Sequence, residues 1–411
     1  MTKWFAFISL CIVCALPLAS PAPHTNRFFD SGTPDFLLES SRWADSVFNV
    51  LTPDERLGQL FMMAAYSNKG SEEKLAVASL INKYKIGGLI FMQGGPGRQA
   101  SLTNYYQSIS KVPMLIAIDG EWGLSMRLDS TINFPKQIML GAIQNDSLIY
   151  KMGKEIAREC KRIGVNINFA PVVDINNNPL NPVIGDRSFG ENKYNVAMKG
   201  VAYMRGMQDN GVLACAKHFP GHGDTDADSH KTLPTITATK ERIDSLELFP
   251  FRQMIKAGVG SMMVAHLFIP SLDTTPNRAS TLSPAIVTGI LKEQLGFQGL
   301  IFTDALNMKG VSEYSAPGKV DALALLAGND MLLFSGNVGE AIKQIKMSID
   351  SGFISREEVD ARVKKILRAK FWCGLNKRTS IEMKNISADL NTNEAKLLKQ
   401  KLVEESQIGR A

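Results

Sequence analysis

Eight short apolar runs recur along this chain, at 59–66, 86–93, 113–120, 164–174, 212–220, 261–270, 299–305 and 330–336. Their apolar character is continuous rather than alternating, which marks strands buried on both faces. Between them, helical periodicity is legible at 72–84, 147–163, 195–210, 240–257 and 284–295. Buried strands alternating with amphipathic helices require a parallel sheet covered by helices. Eight such units within 411 residues predict an α/β chain folded as a single (β/α)8 barrel of the TIM type. The rival is an open, doubly wound sheet. That fold would carry a Gly-rich phosphate loop after its first strand, and none follows residue 66.

The barrel reading makes a prediction that can be checked within the sequence, because functional groups gather where barrel strands end. The third run ends at Asp119, with Glu121 just beyond. The fourth ends at Asp174, with Asp186 and Arg187 in the long loop that follows. The fifth ends at Lys217 and His218, the sixth at His266, and the seventh at Asp304. Ionisable side chains stand at the same end of five consecutive apolar runs.

Histidine is concentrated in the same region. The chain has five, and three of them (His218, His222 and His230) fall within 217–230 among Asp224, Asp226, Asp228 and two glycines. Asp304, on a rigid strand end, is placed to act as a nucleophile, against the plainer reading of a capping or salt-bridge aspartate. Asp228 precedes His230 by two residues, and a carboxylate beside an imidazole suits it to general acid/base work. Asp119, Arg187, Lys217 and His218 are donors and acceptors of the kind a polyol needs. For His218 and His266 the plainer reading is a satisfied core histidine. A metal site built from His218, His222 and His230 is the remaining alternative.

The stretch Lys217-His218-Phe219-Pro220-Gly221-His222-Gly223-Asp224, followed by Asp228-Ser229-His230, resembles the signature of glycoside hydrolase family 3 in its N-acetyl-β-glucosaminidase (NagZ-type) branch. The blocks 169–174, 186–190, 263–266 and 302–308 resemble the family's others and occur in its order across residues 50–375. The resemblance implies a retaining exo-β-N-acetylglucosaminidase acting on peptidoglycan fragments or related glycans. It implies Asp304 as nucleophile and His230, paired with Asp228, as acid/base. It implies Asp119, Arg187, Lys217 and His218 as sugar-binding positions, with His266 near the nucleophile. It implies a carbohydrate substrate and neither cofactor nor metal. Two carboxylates about 5 Å apart are usual in retaining enzymes. Here a histidine replaces the acid, so carboxylate spacing does not predict stereochemistry. Trp122, beside Asp119, is read either as a stacking surface for a sugar or as packing. The competing functions are a β-glucosidase or β-xylosidase of the same family and a non-catalytic sugar-binding barrel.

The ends of the chain carry separate expectations. Lys3, the apolar run 4–18 and the small residues at 19–22 predict a secretory signal over 1–22, and hence export to a periplasmic or extracellular space. Neither Cys11 nor Cys14 follows a small residue, which argues against lipid anchoring. The barrel is placed at 23–375. Residues 376–411 are read as a polar helical tail in which 398–407 resembles the first helix of a second domain in larger family members. The net charge of +6 has no long basic run, so no nucleic-acid partner is expected. Cys160, Cys215 and Cys373 are too few and too scattered for a disulfide framework, so the core must hold the fold.

Overall fold

A computed structural model describes residues 32–229 and 232–408. The predicted secretory signal and His230 therefore lie outside the described residues. All eight predicted strands form: β1 (Phe61–Ala65), β2 (Gly88–Phe91), β3 (Leu115–Ile118), β4 (Ile167–Asn168), β5 (Leu213–Phe219), β6 (Ser261–Val264), β7 (Leu300–Thr303) and β8 (Leu332–Leu333). They pair in parallel in the order β7-β6-β5-β4-β3-β2-β1-β8. The circle closes through a parallel bridge between Phe302 and Met331, where Thr303 N donates to Met331 O at 3.1 Å. The fold is a (β/α)8 barrel. Because it has interior and helix-covered faces but no solvent face, β2, β3, β5, β6 and β7 are buried at every residue. Inside, Phe169 and Phe302 meet edge to face with ring centroids 5.1 Å apart.

Two helix starts are fixed by reciprocal capping. Thr52 Oγ1 accepts Glu55 N at 3.3 Å while Glu55 Oε2 accepts Thr52 N at 3.0 Å, a reciprocal capping box. Ser355 and Glu358 repeat it at Arg356–Trp372. That helix stops at Gly374, whose φ of +79° is a left-handed conformation that favours glycine. The covering helices Pro96–Ile109, Lys319–Ala327 and Val338–Asp350 were not among the stretches read from the sequence. Pro96–Ile109 turns Gln99 and Thr103 inward with Ala100 and Tyr106, so its buried face carries no apolar stripe. The stretch predicted as a helix at 284–295 is one, but Ala285–Gln294 winds as a π-helix.

Beyond the barrel, Ile386–Leu390 and Asn393–Ile408 are helical and bury Ile386, Leu390, Ala395 and Leu402. Arg162 Nε donates to Asp389 Oδ2 at 2.8 Å, and Arg158 Nη1 to Asp389 O at 2.7 Å. The segment is thereby fastened to the helix Asp146–Arg162. Among the described residues no helix is long and apolar enough to cross a membrane.

At the end of the barrel where the strands begin, Lys370 is fully buried and donates to Gln59 Oε1 at 2.6 Å. Burial with no carboxylate beside it lowers its ammonium from the usual 10.5 to about 7. The folded chain keeps Lys370 neutral above that value, whereas the unfolded chain protonates it up to 10.5. Stability therefore rises with pH across that window. Replacing Lys370 with Met should flatten this rise. Urea midpoints of both proteins at the two ends of the window measure it.

Candidate active site

The strand ends converge on a cavity of about 550 Å³. Its charged walls come from the segments just beyond β3 and β4 and from β5 itself. Asn168 holds the first of these in place: its Oδ1 accepts Gly120 N at 2.8 Å and its Nδ2 donates to Gly120 O at 3.0 Å. Tyr203 OH donates to the carbonyls of Gly120 and Glu121 at 3.0 and 3.1 Å. The backbone carrying Asp119 and Glu121 is thus fixed from below.

Glu121 has no exposed surface. Arg187 grips it as a fork, Nε to Oε2 at 2.9 Å and Nη2 to Oε1 at 2.8 Å. Lys217 Nζ lies 2.8 Å from the same Oε1 and 2.8 Å from Asp119 Oδ1. Arg127 Nη2 closes the chain at 2.6 Å from Asp119 Oδ2. Burial alone would raise both carboxyl groups. The cations outweigh it, holding Asp119 at about 2 and Glu121 lower still. Burial would likewise deprotonate Lys217, but Asp119 and Glu121 raise it above its ordinary value. These five groups form one network of alternating sign.

Asp174 sets the next layer. Its Oδ1 accepts His222 N at 2.8 Å and His218 N at 3.1 Å, and its Oδ2 accepts from His218 Nδ1 at 2.7 Å. Burial pushes this carboxyl upward, but His218 and the His222 amide hold it below its usual range. Arg187 Nη2 lies 3.2 Å from His218 Nε2. An arginine only donates, so in the neutral ring Nε2 accepts and Nδ1 carries the hydrogen. The backbone makes close approaches here: a side chain on Gly223 would begin 1.6 Å from Ile175 O, so only glycine fits. The Lys217–His218 peptide is cis.

Asp304 follows β7 and lines the cavity, its Oδ1 accepting Ala305 N at 2.8 Å. Burial would raise its pKa. His266, His218, the Ala305 amide and Lys217 together lower it, so the carboxylate is ionised at neutral pH. An ionised carboxylate facing a cavity and accepting a backbone N–H is an oriented nucleophile or charge stabiliser.

Asp119, Arg187, Lys217, His218 and Asp304 all line this cavity. His266 does not. It is fully buried, donates from Nε2 to Ala305 O at 3.0 Å and meets Thr281 Oγ1 at 2.7 Å through Nδ1. It is a brace beneath the residue after Asp304 rather than a wall of the cavity. Asp228 is half-buried in the loop after β5, where its carbonyl accepts Thr232 N at 3.0 Å. His230 lies outside the described residues. Trp122 is not a cavity wall; the Lys136 ammonium sits 5.2 Å from its ring centroid. Among the described residues no three His, Cys, Asp or Glu side chains converge to hold a metal ion.

Arg127 was missed in the sequence, and Glu121 and Asp174, though noted at strand ends, were not singled out. The charge count was a usable signal: two carboxylates two residues apart at a buried strand end need more than one cation.

Residues 52–369 match the family model described as "Glycosyl hydrolase family 3 N terminal domain". The chain belongs to glycosyl hydrolase family 3. It is similar to Beta-hexosaminidase A of Pseudoalteromonas piscicida, 33 % identical over 78 % of this chain. It spans only 61 % of that relative's length. Beta-hexosaminidase of Thiobacillus denitrificans is 38 % identical over 60 % of this chain and 71 % of its own. Among solved structures, a family 3 beta-N-acetylglucosaminidase from Paenibacillus sp. str. FPU-7 superposes with a TM-score of 0.80 at 36 % identity. That match covers 87 % of this chain and 69 % of that one.

The fork between Arg187 and Glu121 is open to a direct test. Lysine keeps the charge at position 187 but cannot make two parallel bonds or reach His218 Nε2 in the same plane. Losing one charge-assisted hydrogen bond costs about 1.5–3 kcal/mol, roughly a 10–100-fold fall in kcat/KM for Arg187→Lys. Steady-state kinetics beside a thermal melt of the same protein measures it.

Proposed function

We propose that this chain is a retaining exo-β-N-acetylglucosaminidase that removes terminal β-linked GlcNAc from peptidoglycan fragments or related glycans. One observation carries the reading: an ionised Asp304 faces a cavity that is also lined by the fixed charge network of Asp119, Glu121, Arg127, Arg187 and Lys217. Names of relatives, as beta-hexosaminidases and a beta-N-acetylglucosaminidase, support the acetamido sugar as substrate.

The chemistry follows from these groups. Asp119, Arg187, Lys217 and His218 bind sugar hydroxyls and hold the ring. The Asp304 carboxylate attacks the anomeric carbon, and the bond from that carbon to the aglycone oxygen breaks. His230, oriented by Asp228, gives its proton to the departing oxygen. Water then attacks the glycosyl-enzyme and returns a proton to His230, and the bond to Asp304 breaks. Two displacements at one carbon retain its configuration. The lowered pKa of Asp304 serves this scheme, since a nucleophile must be ionised while its acid partner is protonated. With the predicted secretory signal at 1–22, we place this reaction outside the cytoplasm, in the periplasm or beyond.

A chromogenic N-acetyl-β-glucosaminide and the matching β-glucoside test the assignment. The acetamido sugar should be the better substrate, and Asp304→Ala should abolish its cleavage. His230→Ala should retain slow turnover, reduced by about 10²–10⁴-fold. Preference for the glucoside would shift the assignment to a β-glucosidase, and binding without turnover would mean a sugar-binding barrel.

A further inference from the structure

Ser229 lies beside Asp228 in the loop after β5 and is 2 % exposed. Two elements hold it. Its Oγ meets His222 Nε2 at 3.2 Å, and its carbonyl oxygen accepts Gly310 N at 3.3 Å. His222 is itself rigidly mounted. Its amide is bound by Asp174, and its Nδ1 lies 2.9 Å from Thr225 Oγ1. Asn181 Nδ2 donates to Thr225 Oγ1 at 3.2 Å and to His222 O at 2.8 Å. Burial, aided by His218, lowers the His222 imidazole to about 4, so at neutral pH it is a neutral hydrogen-bond partner and adds no charge beside Asp304.

The second support comes from the far side. Gly310 is the second residue of the short helix Lys309–Ser312, a few residues beyond Asp304 on the same connection after β7. A side chain at Gly310 would begin 2.9 Å from Ser229 O and 2.8 Å from Thr232 O. Both obstacles are backbone atoms, which cannot swing aside. The absence of a side chain at 310 therefore lets the connection that bears Asp304 touch the backbone of the loop that bears Asp228.

We propose that His222, Ser229 and Gly310 are positioning residues for the acid/base segment, locking the backbone next to Asp228 onto the connection that carries Asp304. This rests on the reading above, in which His230 and Asp228 supply the acid/base. His222 and Ser229 also line the cavity that Asp304 faces; the role proposed for all three is to set where the proton donor stands relative to the nucleophile.

The consequence is selective. A misplaced acid slows cleavage of aglycones that need a proton and spares those that leave without one. Wild type, His230→Ala, Ser229→Ala and Gly310→Ala are compared on two N-acetyl-β-glucosaminides, with a dinitrophenyl and with a methyl aglycone. The readout is the ratio of their kcat/KM values. Both substrates are cleaved by the same active molecules, so a partly unfolded preparation leaves the ratio unchanged. The ratio should rise about 10–10²-fold in Ser229→Ala and in Gly310→Ala, in the direction of the larger rise in His230→Ala. An unchanged ratio in either variant, with His230→Ala raising it, overturns the positioning role and leaves the acid/base assignment standing. An unchanged ratio in His230→Ala itself overturns that assignment, and the proposal with it.

Discussion

Glu121 is a carboxylate with no exposed surface, placed by a strand end whose backbone is pinned from below by Asn168 and Tyr203. A buried charge is tolerable only when its partners are close and well aligned. That requirement fixes Arg187, brought in from the long loop after β4, and Lys217 on β5. Lys217 and Arg127 then hold Asp119, and Arg187 sets the tautomer of His218. The donors and acceptors that line the cavity are therefore fixed in one geometry by the fold itself. Removing one partner of such a buried pair costs about 3–5 kcal/mol, so the network is tied to the stability of the fold.

The barrel divides its polar groups between its ends. Where the strands finish, the buried charges compensate one another and face a cavity. Where they begin, Lys370 is buried against Gln59 without a counter-charge and is pushed toward neutrality. The contrast shows what the charges at the functional end require. Lys217, equally buried, stays protonated because two carboxylates lie within 2.8 Å.

Much of this was legible in the sequence because it rests on patterns that burial enforces. A strand covered on both faces must be apolar throughout, so all eight strands appeared as runs. The residue that ends such a run is placed by the strand, so Asp119, Lys217, His218 and Asp304 were visible as a set. The illegible parts lack such enforcement. Pro96–Ile109 buries Gln99 and Thr103 and so hides its inward face. Arg127 sits in a loop, where its charge resembles any solvated arginine until Asp119 is seen 2.6 Å away. His266 shares a strand end with the site residues, but its ring turns beneath Ala305, and spacing along the chain does not encode that turn.

In the proposed reaction Asp304 attacks the sugar and carries it as a covalent ester. Trapping tests it most directly: incubate the protein with an N-acetyl-β-glucosaminyl compound carrying a good leaving group and a fluorine at C5, which slows breakdown of the glycosyl-enzyme, then map the adduct by mass spectrometry of peptides. One sugar equivalent is expected, bound through an ester to Asp304, in the peptide that spans β7 and its following turn. An adduct on another carboxylate, or turnover with no trapped species and an inverted product anomer, would contradict it.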